Sequence, residues 1–166
     1  GRDRYFEIII AKTAVLISAA CACGAVVAEA GEEDVERLSR FGLNLGIAFQ
    51  LIDDLLDYTS TEDVFGKPVG KDLREGKITL PLIQAVAGMD RSRVRAWETR
   101  FTSGKASEEE IERMIETVRT HSALEEIRAE ARAYVERAAA DLDPFPDSPI
   151  RQDLLALNRH LLTRNF

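Results

Sequence analysis

The chain has 166 residues, of which 45% are apolar and 31% charged. This composition excludes a disordered polymer and a membrane protein, and it fits about one domain. Lys plus Arg total 22 against 29 Asp plus Glu, a formal charge of -7, which argues against a nucleic-acid binder, whose footprint is a basic patch.

Period-two alternation appears nowhere for long, whereas helical patterns are abundant, so the predicted class is all-α, a helical bundle. The first helix is predicted over 3–30, rich in Ala and closed near Gly31. Its apolar run 14–28 follows Lys12 and is shorter than the ~20 residues of a bilayer span, so it reads as a buried core helix and not an anchor. No transmembrane segment or signal peptide is expected. Cys21 and Cys23 lie about 200° apart around a helix, too far to share one metal ion or a bridge. They read as reduced, buried thiols of a cytoplasmic protein.

A second long helix is predicted over 32–59, with Glu32, Glu33 and Asp34 suited to its N-terminal dipole. Val35, Leu38, Phe41, Leu45, Phe49, Ile52 and Leu56 step by three or four and form one buried stripe. Gly42 and Gly46 share a face, which predicts a tight helix contact or room for a ligand. Residues 59–78 break the pattern with Gly66, Pro68, Gly70 and Gly76, a long loop of the kind that usually has a function. Lys67, Lys71, Arg74 and Lys77 concentrate there, against the acidic trend of the chain. Shorter helices are predicted near 79–88, 90–102, 107–120, 122–142 and 148–163. Ser107 with Glu110 forms a capping box, and Ser148-Pro149 opens the last helix.

The chemistry concentrates in Gln50-Leu51-Ile52-Asp53-Asp54-Leu55-Leu56-Asp57. Asp53 and Asp57 share a helix face with Gln50 one turn before, and Asp54 is turned about 100° away. Three carboxylates among apolar neighbours repel one another and call for a counter-charge. A hard cation such as Mg²⁺ fits, because it takes carboxylates together with substrate phosphates. Lys67 and Lys77 are placed to meet the outer oxygens of a diphosphate held by metal from the other side. Either feature alone is more often a solvated face or a wet loop; the two in this order point to a metal–diphosphate site. His121 and His160 lack partners at zinc-ligand spacing, and no nucleophile elbow, Walker loop or Rossmann fingerprint occurs.

These blocks resemble the trans-isoprenyl diphosphate synthases, the polyprenyl synthetase family. The resemblance is carried by Lys12-Thr13-Ala14 with the small-residue stretch to Gly24-Ala25, and by Gly42 to Tyr58 around the aspartates. The third block is Phe65-Gly66-Lys67-Pro68-Val69-Gly70-Lys71-Asp72-Leu73-Arg74-Glu75-Gly76-Lys77. That block is closer to the long-chain synthases than to the farnesyl type, and beyond about residue 90 only general helical character matches. The resemblance implies an all-α fold and Mg²⁺-assisted condensation of isopentenyl diphosphate with an allylic diphosphate to a longer polyprenyl diphosphate. It assigns metal binding to Asp53, Asp54 and Asp57, with Asp53 ranked first for direct ligation. It assigns the diphosphate to Lys12, Lys67 and Lys77, and stabilisation of the allylic cation to Thr13 and Gln50, whose dipoles suit a developing positive charge. Asp72 is assigned to orienting Lys67 or a water on the metal.

The family also has a first aspartate-rich motif followed by paired arginines, and neither occurs in this sequence. The resemblance therefore covers the C-terminal half of the family. It implies a portion of a longer synthase that is inactive by itself, and a homodimer or higher self-association through faces that the other half covers. The alternative is a non-catalytic regulatory subunit of a heteromeric synthase, although such a subunit is expected to lose the aspartates. A terpene cyclase-type enzyme shares the metal chemistry but does not account for the Gly-Lys-Pro loop, and a purely structural bundle accounts for none of these features.

Overall fold

A computed structural model of the chain describes residues 1–59 and 69–164. In order, the elements are α1 (Arg2–Ile9), a π-helical turn (Ile10–Ala14), α2 (Val15–Val27) and α3 (Glu32–Thr59). They continue with α4 (Lys71–Arg74), α5 (Leu80–Ala85), α6 (Arg91–Thr102), α7 (Glu108–Arg119), α8 (Ala123–Asp141) and α9 (Pro149–Thr163). No strand occurs among the described residues, in line with the all-α expectation. The π turn is not foreseen by the sequence pattern, which runs one helix through it. The short helix α4 likewise falls within the stretch 59–78 that the sequence pattern reads as a loop; the other predicted helix bounds agree with the observed ones to within a few residues, as far as the described residues extend.

The described chain divides into two compact units, one made of 1–5 and 53–128 and the other of 6–52 and 129–164. The second unit packs Phe41, Leu45 and Ala48 of α3 against Val135, Ala138 and Leu142 of α8 and Leu161 of α9. Polar bonds fix the same helices: Arg40 and Asn44 donate to Asp141 at 3.0 and 3.2 Å. The fully buried Asn158 donates to the Val135 carbonyl at 2.7 Å.

The glycines of α3 permit a close approach in this unit. A Cβ on Gly46 would lie 2.6 Å from Ala14 Cα, and one on Gly42 would lie 2.8 Å from the Ile17 carbonyl oxygen. Each glycine costs ~1 kcal/mol of helix propensity relative to Ala, which the backbone-to-backbone contact offsets. Ser18 continues the seam by donating to the Ser39 carbonyl at 2.8 Å. The tight helix contact expected from the glycine spacing is thus present.

The apolar run 14–28 is not the buried helix that its composition predicts. α3 covers one side of it, while Val15, Leu16, Val26 and Val27 are exposed, Leu16 by 72% and Val27 by 83%. Continued through the π turn, Arg2–Val27 is also long and apolar enough to cross a bilayer by length and composition, a test that a helix of a bundle passes equally. The reading of two buried thiols is likewise corrected. Both are free, but Cys21 is only half-buried and Cys23 is exposed.

In the first unit, Tyr58 at the end of α3, Leu73, Leu82, Phe101, Ile111, Met114, Ile115 and Val118 form the core. The helices around it start with the predicted chemistry. Asp90 accepts the Ser92 and Arg93 N–H groups, and Ser107 and Glu110 form the full capping box. Gly70, at φ +70°, has no room for a side chain because a Cβ would meet Ile115.

Candidate functional site

Asp57 organises the acidic end of α3. Its backbone carbonyl accepts the Gly70 N–H at 2.8 Å, and its carboxylate accepts the Asp72 N–H at 3.1 Å. The turn carrying Lys71, Asp72 and Lys77 is therefore docked on the aspartate helix itself. Burial pushes the Asp57 carboxyl up from 3.8 to about 6; the negative charges of Asp72 and Asp53 add to this, and the bonds from the Asp72 and Lys71 N–H groups oppose it. The raised value marks chiefly a carboxyl withdrawn from water, with neighbouring negative charge as a lesser cause.

The three aspartates differ in setting. Asp53 is exposed, Asp57 is partly buried, and Asp54 is 3% exposed. The Tyr5 hydroxyl donates to Asp54 Oδ2 at 2.6 Å. Tyr5 escapes a reading of the sequence, because 49 residues separate the two partners and no local motif links them. Among the described residues no three side chains of metal-binding type converge into a ready-made metal cage. The donor set still fits Mg²⁺, since two carboxylates one turn apart, one exposed and one partly buried, supply hard oxygen ligands.

The basic side of the turn is engaged with protein acids. Lys77 donates to Asp72 at 2.8 Å and to Glu75 at 2.7 Å, which holds its ammonium above the usual lysine range. Asp72, assigned from the sequence to orienting Lys67, is thus seen with Lys77; Lys67 lies outside the described residues. Surface pairs of this kind are weak in water, and a multiply charged phosphate competes for the ammonium. Arg74 faces away from such a role. It bonds Glu108 and Glu112 on α7 and donates to the Val69 carbonyl at 3.2 Å, clamping the turn from behind.

Lys12 and Thr13 fall within the π turn, a distortion that frequently accompanies functional sites. Thr13 donates to Gln50 Oε1 at 3.2 Å, so the two residues assigned together from the sequence meet in the structure. Gln50 is buried and Lys12 is exposed.

Comparisons with known proteins bear on the same residues. The polyprenyl synthetase family model matches residues 2–118. Octaprenyl diphosphate synthase of Escherichia coli is 37% identical over 93% of this chain and 48% of its own length. All-trans-nonaprenyl-diphosphate synthase of Rhodobacter capsulatus is 39% identical over 98% of this chain and 49% of its own length. Heptaprenyl diphosphate synthase component 2 of Bacillus subtilis is 33% identical over 98% of the chain. Among solved structures, a Caulobacter crescentus polyprenyl synthase complexed with calcium and isoprenyl diphosphate superposes with a TM-score of 0.87 at 38% identity. That match covers 100% of this chain and 51% of the other. The chain thus spans about half the length of the relatives it matches. With the family model matched over most of its length and the fold shared at that identity, the chain belongs to the polyprenyl synthetase family.

Proposed function

We propose that this chain supplies the diphosphate-releasing side of a Mg²⁺-dependent long-chain prenyltransferase, which joins isopentenyl diphosphate to an allylic diphosphate. The observation that supports the reading is the docking of the basic turn on Asp57 through two hydrogen bonds. Asp53 binds the ion directly, Asp57 stands one turn further on the same face, and Asp54 completes the acidic cluster. Bound Mg²⁺ supplies neutralising charge for the departing diphosphate. Lys77 exchanges Asp72 and Glu75 for diphosphate oxygens, and Lys12 and Lys67 take the remaining phosphate charge. The Thr13–Gln50 pair presents a fixed amide and hydroxyl dipole to developing positive charge, which needs no reorganisation at the moment of reaction.

Two measurements test this. In the protein supplied with all parts of the family fold, Asp53→Ala lowers turnover by about 10²–10³-fold while the circular dichroism melting curve is unchanged; near-normal turnover removes the metal role from Asp53. The 166-residue chain alone fails to incorporate radiolabelled isopentenyl diphosphate into a longer product, and incorporation refutes its dependence on the other half.

The relatives named heptaprenyl diphosphate synthase component 2 favour a second reading, a subunit that works beside a different chain in a heteromeric synthase. If that subunit is non-catalytic, Asp53→Ala in the assembled enzyme leaves turnover untouched.

A further inference from the structure

The buried stripe of α3 runs through Leu51, Asp54, Leu55 and Tyr58, at the i, i+3, i+4, i+7 spacing of a core-facing helix side. Its apolar members and Tyr58 are 0–1% exposed and Asp54 is 3% exposed. A carboxylate in that stripe is expensive, and an apolar side chain would pack there more cheaply. The Tyr5 hydroxyl, itself on a 6% exposed side chain, donates to Asp54 Oδ2 at 2.6 Å and offsets part of that cost. That length is at the short end of the range for a hydroxyl-to-carboxylate bond, the range of strong charge-assisted bonds. Successive helical residues point about 100° apart. With Asp54 held inward, Asp53 is turned out to solvent, and Asp57, one turn on from Asp53, shares that side.

We infer that Tyr5 is a positioning residue for the metal-binding helix: its hydroxyl locks Asp54 into the buried stripe of α3, which keeps Asp53 and Asp57 presented to a cation while Asp54 lends charge from below. The inference rests on the reading of Asp53 and Asp57 as magnesium-binding groups. The role assigned to Tyr5 runs through its bond to Asp54.

The test is Mn²⁺ binding in the presence of inorganic pyrophosphate, followed by electron paramagnetic resonance on the intact protein. Asp53→Asn weakens binding by about 100-fold; if the unaltered protein binds no Mn²⁺, or Asp53→Asn binds as well, the metal-site reading fails and the inference falls with it. With that reading standing, Tyr5→Phe weakens Mn²⁺ binding about tenfold at unchanged helicity. The same substitution in an Asp54→Asn background adds nothing further. Wild-type affinity in Tyr5→Phe, or a loss that persists in the Asp54→Asn background, overturns the role of Tyr5 alone. If Tyr5→Phe does not fold, Asp54→Asn decides. It removes the charge on which the strong Tyr5 bond depends, so a loss of about tenfold is expected. A loss as large as that of Asp53→Asn makes Asp54 a direct ligand and overturns the inference, as does no loss at all.

Discussion

Asp57 is pulled in opposite directions, since its carboxylate caps the 70–72 turn while burial and the charges of Asp72 and Asp53 resist its ionisation. A carboxyl whose value rises from 3.8 to about 6 on folding ionises more easily in the unfolded chain. It therefore detracts from stability once the pH passes from about 4 up through 6, and is neutral in effect below that window. Asp57→Asn keeps an acceptor for the Asp72 N–H and removes the charge. Discounted for the water that still reaches the group, the gain is on the order of 1 kcal/mol, or about 2–4 °C in Tm. Thermal melts are expected to show that gain at pH 8 and none at pH 4; an equal gain at both would trace it to something other than ionisation. At this scale the sequence was informative about which residues carry charge but not about their separate settings. The helical repeat turned Asp54 away from the other two, but its burial and its Tyr5 partner 49 residues away left no mark in the motif.

Among elements, the glycines of α3 and α2 make a controlled comparison. Gly46→Ala puts a methyl group 2.6 Å from backbone, whereas Gly24 has nothing within 4 Å of the same position. Gly46→Ala is expected to lose ~1–2 kcal/mol net of the helix-propensity gain, lowering Tm by about 2–8 °C. Gly24→Ala is expected to raise Tm by about 2–4 °C from propensity alone. Matching shifts of one sign would show that the seam with Ala14 does not set the cost. The α3 contact was legible because its cause is local, two small residues at a helical repeat. The capping box at Ser107 was legible for the same reason. The π turn at Ile10–Ala14 was not, because it carries no capping residue, proline or break in apolar period that would mark it. It lies where Gly46 of α3 comes close to Ala14, a contact made across the fold and not along the chain. The docking of the 70–72 turn on Asp57 was hidden likewise, since a hydrogen bond from a backbone N–H leaves no trace in side-chain pattern.

For the whole molecule, the largest departure from expectation is the exposed side of the first helical segment. An apolar run says that water is unfavourable for it, not which surface removes the water, so composition alone made it a core helix. Ile8, Val15, Leu16, Val26 and Val27 together present a long apolar face with small side chains between them. Faces of this kind drive association. The isolated chain is therefore expected to self-associate at micromolar concentration, and light scattering that finds a monodisperse monomer would contradict this.

Cys23 lies on that segment and is exposed, while Cys21, two residues before it, is half-buried with a thiol that burial pushes above its usual range. Thiolate is the reactive species, so Cys21 is the slower of the pair toward an alkylating reagent. The chain thereby carries its own footprinting label: maleimide uptake at Cys23, followed by mass spectrometry, reports in minutes whether anything has come to lie over the segment.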